Sequence, residues 1–593
     1  MDIWKKNVYN DWCVMYKTCQ RQMKPCLKKL SLLLALAAVL TLSFIDAQPA
    51  MAQTQSSICI QPDGSIEGTD KIVKDEQVYT LVGDLSGSAK NGECFISIRK
   101  DGIMLDGLGH TILGTRTGVA IELKGRSNVV IKNLFINNFG VGIDLGSDYN
   151  LETQITTNST NNQILNNHIT TVYDGIALQA ARNNSIVGNT ITSPSSSFGI
   201  DVKVSYGNTI ADNHLFGGGI GLYKQTQNTF RGNTVDGKPI VILEGASNQV
   251  VDGAAQVLLY GCTDMTVKNV SPSTDLKVAI TLYGTNNSQI VNCKGNIILE
   301  NSNHNTISKN QLTSTIKLYL SHNNQITENT INSKGDFGIN LEFCLNNNIQ
   351  ANTISTIGKV GISFASSNGN YIHGNLIYGC ESGIELTYTH FTSTRPPEWA
   401  STSINNSIFA NNVTGCAIGI SLNGVSGNMV FANNIVGCGE LGVRISIANG
   451  NAFYHNNFIN NKQDVYEEHS YFDRPNGRYI SYYSANNTWD DGYPSGGNYW
   501  SNYNGTDADG DGIGDTPYIA FENQTDNYPL MKPFAIQDSD VTPHPFEEPS
   551  NEEQEQLIEQ SGEPFPTTLV IAPIASATVV GVGVFVYFKK YKH

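Results

Sequence analysis

Asp507, Asp509, Asp511 and Asp515 punctuate the stretch Asp507-Ala508-Asp509-Gly510-Asp511-Gly512-Ile513-Gly514-Asp515. Carboxylates on alternate residues can converge on one hard cation, Gly512 permits the sharp turn, and the Ile513 carbonyl is a further ligand. The spacing points to calcium. The twelfth loop position is Tyr518 rather than Glu, and no helical pattern flanks the loop. The expectation is therefore an isolated, structural calcium loop, with Asp526 available to complete it. The plain alternative is a solvated acidic turn.

Two further sets of side chains depend on how the chain is wound. Asp144 and Asp201 each occupy the third position of a Gly-Ile-Asp segment. If such segments stack, these two lie two coils apart, ~10 Å between backbones. Tilted toward each other, they approach the ~6.5–9.5 Å range of inverting glycoside hydrolysis. No third acid adjoins them in this reading, and single exposed Asp residues commonly serve solubility alone. Tyr223, Tyr260, Tyr283 and Tyr319 follow comparable segments. They predict an aromatic strip suited to the apolar faces of sugar rings, widened by Val241, Leu258 and Ile298. The alternative is that Tyr simply favours strands.

The winding is read from a repeat, N-x-I-x-x-N-x-I, which starts at Asn162, Asn184, Asn208 and Asn228 and resumes at Asn305. An apolar residue that closes a short G-I-x-L strand stands six positions earlier, as Leu178 does before Asn184. Strand signals at a step of about 23 residues, without helical ones, identify a stacked solenoid. Alternation turns the Ile and Leu of G-I-x-L inward and the residue between them outward. Asn suits the corners because it tolerates left-handed backbone and bonds neighbouring peptides. Regular coils are expected from about Thr117 to Asn461. Insertions after Leu145 and Leu386 share one corner but lie near 50 Å apart at ~4.8 Å per coil.

The fold expected is all-β, a right-handed single-stranded parallel β-helix. It spans an N-terminal cap with first coils (53–116), repeats (117–465) and a C-terminal cap with the Asp-rich loop (466–534). Residues 1–52 form a signal peptide, with Met23 an alternative start: Lys24, Lys28 and Lys29 precede an apolar run, and Ala50-Met51-Ala52 offers a cleavage site. An acidic, Pro-rich linker (535–568) leads to an uncharged transmembrane segment (569–588) and a basic tail (589–593), which places the C-terminus in the cytoplasm and the solenoid outside. The net charge is −16; the first 52 residues carry +4, so the exported chain sits near −20. That excludes nucleic acid as a partner. Eight Cys follow the cleavage site. Cys59 and Cys94 are a candidate disulfide, whereas Cys380, Cys416 and Cys438 are expected to stack as an apolar ladder.

The repeats, the turn Asp106-Gly107-Leu108-Gly109-His110-Thr111-Ile112 and the ending Gly497-Asn498-Tyr499-Trp500-Ser501 resemble the NosD-like right-handed parallel β-helix family, which overlaps carbohydrate-binding and sugar-hydrolase β-helices. The resemblance covers roughly residues 58–534. It implies a periplasmic role in supplying copper to a reductase. The sequence has no Met-rich or His-rich cluster to hold copper, so that role is not expected here. The favoured reading is a membrane-anchored cell-surface protein that binds polysaccharide or surface glycan. A polysaccharide hydrolase or lyase is the alternative, and a structural spacer the third.

Overall fold

The computed structural model describes residues 57–536, apart from 151–154, 224–226, 357–358, 389–401, 469, 474–477, 482–485 and 523. The signal segment, the linker and the apolar run at 569–588 lie outside the described residues. Among the described residues every regular element is a strand, and no helix is long and apolar enough to cross a membrane.

The chain winds into a right-handed parallel β-solenoid of about 16 turns. Each regular coil contributes a strand to each of three faces. The first face holds the G-I-x-L strands, for example Val141–Leu145, Ile176–Gln179 and Ile200–Lys203. The second holds the N-x-I strands, such as Ser185–Val187, and the third holds strands such as Thr190–Ser193. Neighbouring coils pair in register, Ile143 with Ile176 and Ile176 with Ile200. That register stacks like on like, so Ile143, Leu145, Ile176 and Leu178 are all buried.

The Asn residues divide the corner work between them. Asn183 and Asn346 take the left-handed backbone, φ +53° each. The Asn that follows is buried and links coils. Asn184 Oδ1 accepts from Asn162 N–H (2.9 Å) and Nδ2 (3.0 Å), and Asn184 Nδ2 donates to the Ser159 carbonyl (3.0 Å). A second ladder runs down the next corner through Asn167, Asn189 and Asn213. Buried corner peptides are satisfied from the coil above and below, which is why one residue type recurs there.

The expected unbroken run of coils is interrupted at residues 234–260. Strand Thr234–Val235 turns back antiparallel onto Lys238–Glu244 through Asp236-Gly237. Both turn residues have positive φ (49° and 79°), the geometry of a two-residue hairpin. Strand Ile220–Tyr223 therefore ends its sheet, and Lys238–Glu244 starts the next stack by pairing with Gln256–Tyr260. The apolar core divides at the same place into two clusters. Asn-ladder bonding also stops at Asn228 and Asn233, and the ladder amides take over again at Asn305 and Asn310.

The first-face row already begins at Ile58–Ile60. Cys59 pairs there with Ser97 rather than Cys94, and both cysteines are free thiols, so the candidate disulfide is not formed. Cys380, Cys416 and Cys438 are buried on successive coils, as an apolar ladder requires. The insertion after Leu145 forms a hairpin, Asp148–Asn150 with Ile155–Thr157. At the C-terminal end Phe453 stacks on Trp489 and Phe458 on Trp500, each pair 4.3 Å between ring centroids.

Candidate ligand-binding face

The outward positions of the first face run in register, rung by rung. In the N-terminal stack they read Ser97, Glu122, Asp144, Ala177, Asp201 and Gly221. Asp144 and Asp201 thus sit two rungs apart, as the repeat predicts. They are not isolated, which corrects the expectation that no third acid adjoins. Lys124 Nζ lies 2.6 Å from Glu122 and 3.5 Å from Asp144. The Asp174 carboxylate acts on Asp201.

Asp201 is 2% exposed, as closed as Asn340, Ser363 and Ser421 further along the outward row. The reason lies one rung on. Gly221 has no side chain, and the Phe198 ring fills that space; a Cβ on Gly221 would come within 2.7 Å of it. Lys277 Nζ sits 4.4 Å above the same ring. One Asp201 oxygen meets Lys203 Nζ at 2.5 Å; the other, Oδ1, is buried without a partner. Burial pushes the Asp201 carboxyl above its ordinary range, with Lys203 opposing. Asp144 is shifted the same way by burial, with Lys124 opposing.

The tyrosine strip is shorter than the sequence implies. Tyr223 is exposed, but it closes the first stack, with Lys203 Nζ 5.5 Å from its ring. Tyr260 is buried at the joint, 3% exposed, and its hydroxyl donates to the Leu222 carbonyl at 2.8 Å. Leu258 is buried beside it. The register aligns Glu244, not Leu243, with Tyr260, because the hairpin shifts the count by one. Tyr283 and Tyr319 remain part-exposed on the face, one on each side of Glu300. Tyr283 leans on Tyr260 at 5.8 Å, and Tyr319 meets Phe343 edge-on at 5.8 Å.

Further along, the outward row continues through Lys317, Asn340, Ser363, Glu385, Ser421 and Arg444. Lys317 pairs with Glu342 (3.0 Å), and Asn340 Nδ2 donates to the same carboxylate (2.9 Å). Arg444 pairs with Glu468 at 2.7 Å. Burial raises the Glu385 carboxyl, while Arg444 pulls the other way. Glu385 was not singled out by sequence reasoning. Its signal was the outward position in Gly383-Ile384-Glu385-Leu386, which looked no different from any solubilising acid.

In the Asp-rich loop, oxygens of Asp507, Asp509 and Asp511 lie within 4.8 Å of one another. Asp515 faces the start of the loop, accepting from Ala508 N–H (2.9 Å) and Thr506 Oγ1 (3.2 Å). Ile513 bridges to Leu530, and its N–H donates to Asp511 at 2.8 Å. Asp526 is not available to this loop. It is buried under the tryptophans, accepting from Asn498 N–H (2.7 Å) and Trp500 Nε1 (2.8 Å).

A family model described as "Periplasmic copper-binding protein (NosD)" matches residues 252–393 and 399–505, and one described as "Right handed beta helix region" matches residues 96–264. No curated protein matches the sequence. Among solved structures the chain is similar to a mutant of the periplasmic alginate epimerase AlgG, at 10% identity over 70% of this chain and 72% of that one, with TM-score 0.24. It is similar to the A-module of mannuronan C-5 epimerase AlgE4 of Azotobacter vinelandii, at 12% identity over 69% and 90%, with TM-score 0.20. It is also similar to the Dettilon tailspike protein, at 14% identity over 62% of each chain, with TM-score 0.22. These likenesses concern fold alone. With its in-register coils and both matches, the chain belongs to the NosD-like right-handed parallel β-helix repeat family.

Proposed function

We propose that the solenoid binds a polysaccharide or surface glycan along its first face, from Tyr283 to Arg444. One observation carries this reading. Outward side chains there stack on successive rungs in two parallel rows, Tyr283, Glu300, Tyr319 and Glu342 in one and Lys317, Asn340, Ser363, Glu385, Ser421 and Arg444 in the other, with Asn340, Ser363 and Ser421 nearly closed off. A polymer of repeating polyol units is the ligand class that can use such rows, its ring faces on Tyr283 and Tyr319 and its hydroxyls on the part-exposed Lys317, Glu342, Glu385 and Arg444. Retention on a panel of immobilised polysaccharides tests it: the protein binds at least one, and Tyr319→Ala weakens that binding. Equal retention of Tyr319→Ala, or none of the wild type, rejects the reading.

A second reading, cleavage of the polysaccharide, is favoured by Asp201, whose buried and unpartnered oxygen and raised carboxyl suit a proton donor. Depolymerisation that vanishes in Asp201→Asn supports it.

We further propose that Asp507, Asp509, Asp511, Ile513 and Asp515 hold calcium in a bracing role, and that the protein sits at the outer face of a membrane through its 569–588 segment. Copper fits less well. The one group of three candidate ligands among the described residues is the all-oxygen Asp507, Asp509 and Asp511, which suits a hard cation rather than a soft one.

A further inference from the structure

The face described above has a charge pattern that narrows its ligand. Five cations reach it among the described residues; Lys277 lies over the Phe198 ring, and the other four are already matched by acids. Lys124 lies between Glu122 and Asp144, Lys203 is on Asp201, Lys317 on Glu342 and Arg444 on Glu468. Along the stretch from Tyr283 to Arg444, no described cation of the outward rows is left over to receive a carboxylate or a sulfate.

One acid on the face differs. Glu385 makes no ion pair or hydrogen bond with any described residue, although it is only part-exposed and its rung neighbours are Ser363 and Ser421. In the same strand Ser382 starts the row whose rung neighbours are Val360 and Ile418, both part-exposed. The Ser382 Oγ is buried, 7% exposed, and has no partner. An unpartnered buried hydroxyl costs stability unless something meets it. Two polar groups without partners thus lie in one strand at the middle of the face. Burial raises the Glu385 carboxyl, so a donor placed there restores solvation the fold has removed.

We infer that this face takes a glycan without acidic groups, neutral or amine-bearing, and that Glu385, with Ser382, accepts its hydroxyl or ammonium hydrogens. The inference rests on the glycan-binding reading and specifies its ligand class. A polyuronate or sulfated chain would set its own anions beside Glu385 and Glu342 with no cation in exchange, and like charges at contact are repulsive.

The test is calorimetric titration of the full chain with three probes: cello-oligosaccharide (neutral), chitosan oligomer (amine-bearing) and polygalacturonate oligomer (acidic). The neutral or the amine-bearing probe binds at least tenfold tighter than polygalacturonate. Glu385→Gln weakens chitosan binding about tenfold at unchanged melting temperature, and Glu385→Lys moves preference toward polygalacturonate. Polygalacturonate binding as tight as the others overturns the inference and leaves glycan binding standing. No binding by any probe removes the glycan reading and the inference with it. Unchanged chitosan affinity in both Glu385 variants overturns the role of Glu385.

Discussion

The side-chain amide of Gln256 takes the place of a missing strand at Ile220: Oε1 accepts from the Ile220 N–H and Nε2 donates to the Ile220 carbonyl, both at 2.9 Å. The same Nε2 donates to the Val278 carbonyl at 2.8 Å. Where the coil ladder stops, one glutamine mimics a peptide unit and the Tyr260 hydroxyl satisfies Leu222 beside it. Gln256 is fully buried, and the two halves of the core meet at this clamp.

Gln256→Ala leaves the Ile220 and Val278 groups unpaired inside the protein. A loss of about 2–4 kcal/mol is expected, since each stranded buried group costs roughly 1–3 kcal/mol and relaxation recovers part. Urea denaturation monitored by tryptophan fluorescence and by far-ultraviolet circular dichroism measures it. The tryptophans at the C-terminal end report the second stack, so the two signals separate if the clamp couples the stacks. Coincident, unshifted transitions contradict the clamp.

Adjacent corner asparagines are predicted to respond differently. Asn346 holds left-handed backbone, so Asn346→Gly is tolerated within about 1 kcal/mol. Asn347 accepts from Asn324 N–H (2.9 Å) and donates to the Ser321 carbonyl (3.1 Å) while fully buried. Asn347→Gly loses the ladder and costs about 2–4 kcal/mol. Thermal melts of the two variants decide between them.

The pattern of legibility follows the physics. The repeat set inward and outward positions through most of the solenoid, because a rung register propagates by identical hydrogen bonds from coil to coil. It slipped at Asp236-Gly237. That dipeptide is a strong hairpin signal, but a parallel solenoid gave no reason to look for an antiparallel turn. The slip moved the register by one at Glu244; Tyr260 keeps its expected place opposite Tyr283 but is buried at the joint, its hydroxyl on the Leu222 carbonyl. Asp144 and Asp201 were found because each sits in the motif itself. Their added neighbours, Glu122 and Asp174, and the roof made by Phe198 and Lys277 come from other coils and loops, which no local pattern connects.

Acid should stabilise the C-terminal cap. Burial pushes the Asp526 carboxyl up to about 6 from 3.8, with bonds from Asn498 and Trp500 opposing. Between those values the folded chain keeps a proton the unfolded chain has released. Its contribution is therefore full below about pH 4 and fades as pH rises through 6, a span of about 3 kcal/mol. Denaturation free energies across pH 4–7 should fall with pH, and Asp526→Asn should flatten that slope. A wild-type slope that Asp526→Asn leaves intact contradicts the assignment.

Calcium should raise the melting temperature and chelator should lower it. At a concentration of 100 times Kd the gain is about 2.7 kcal/mol. Asp509→Asn, which removes a charge from the cluster with Asp507 and Asp511, should abolish the difference. Identical calorimetric traces with and without chelator reject the bracing role.

Binding along the first face is the central claim, and comparing faces tests it most directly. Tyr283→Ala with Tyr319→Ala strips the part-exposed rings from the first face, while Phe216→Ser removes an exposed ring on the third face. Affinity for the polysaccharide that wild type binds should fall at least tenfold in the first variant and stay within twofold in the second. Undiminished affinity in the tyrosine variant, or a loss confined to Phe216→Ser, would contradict the account.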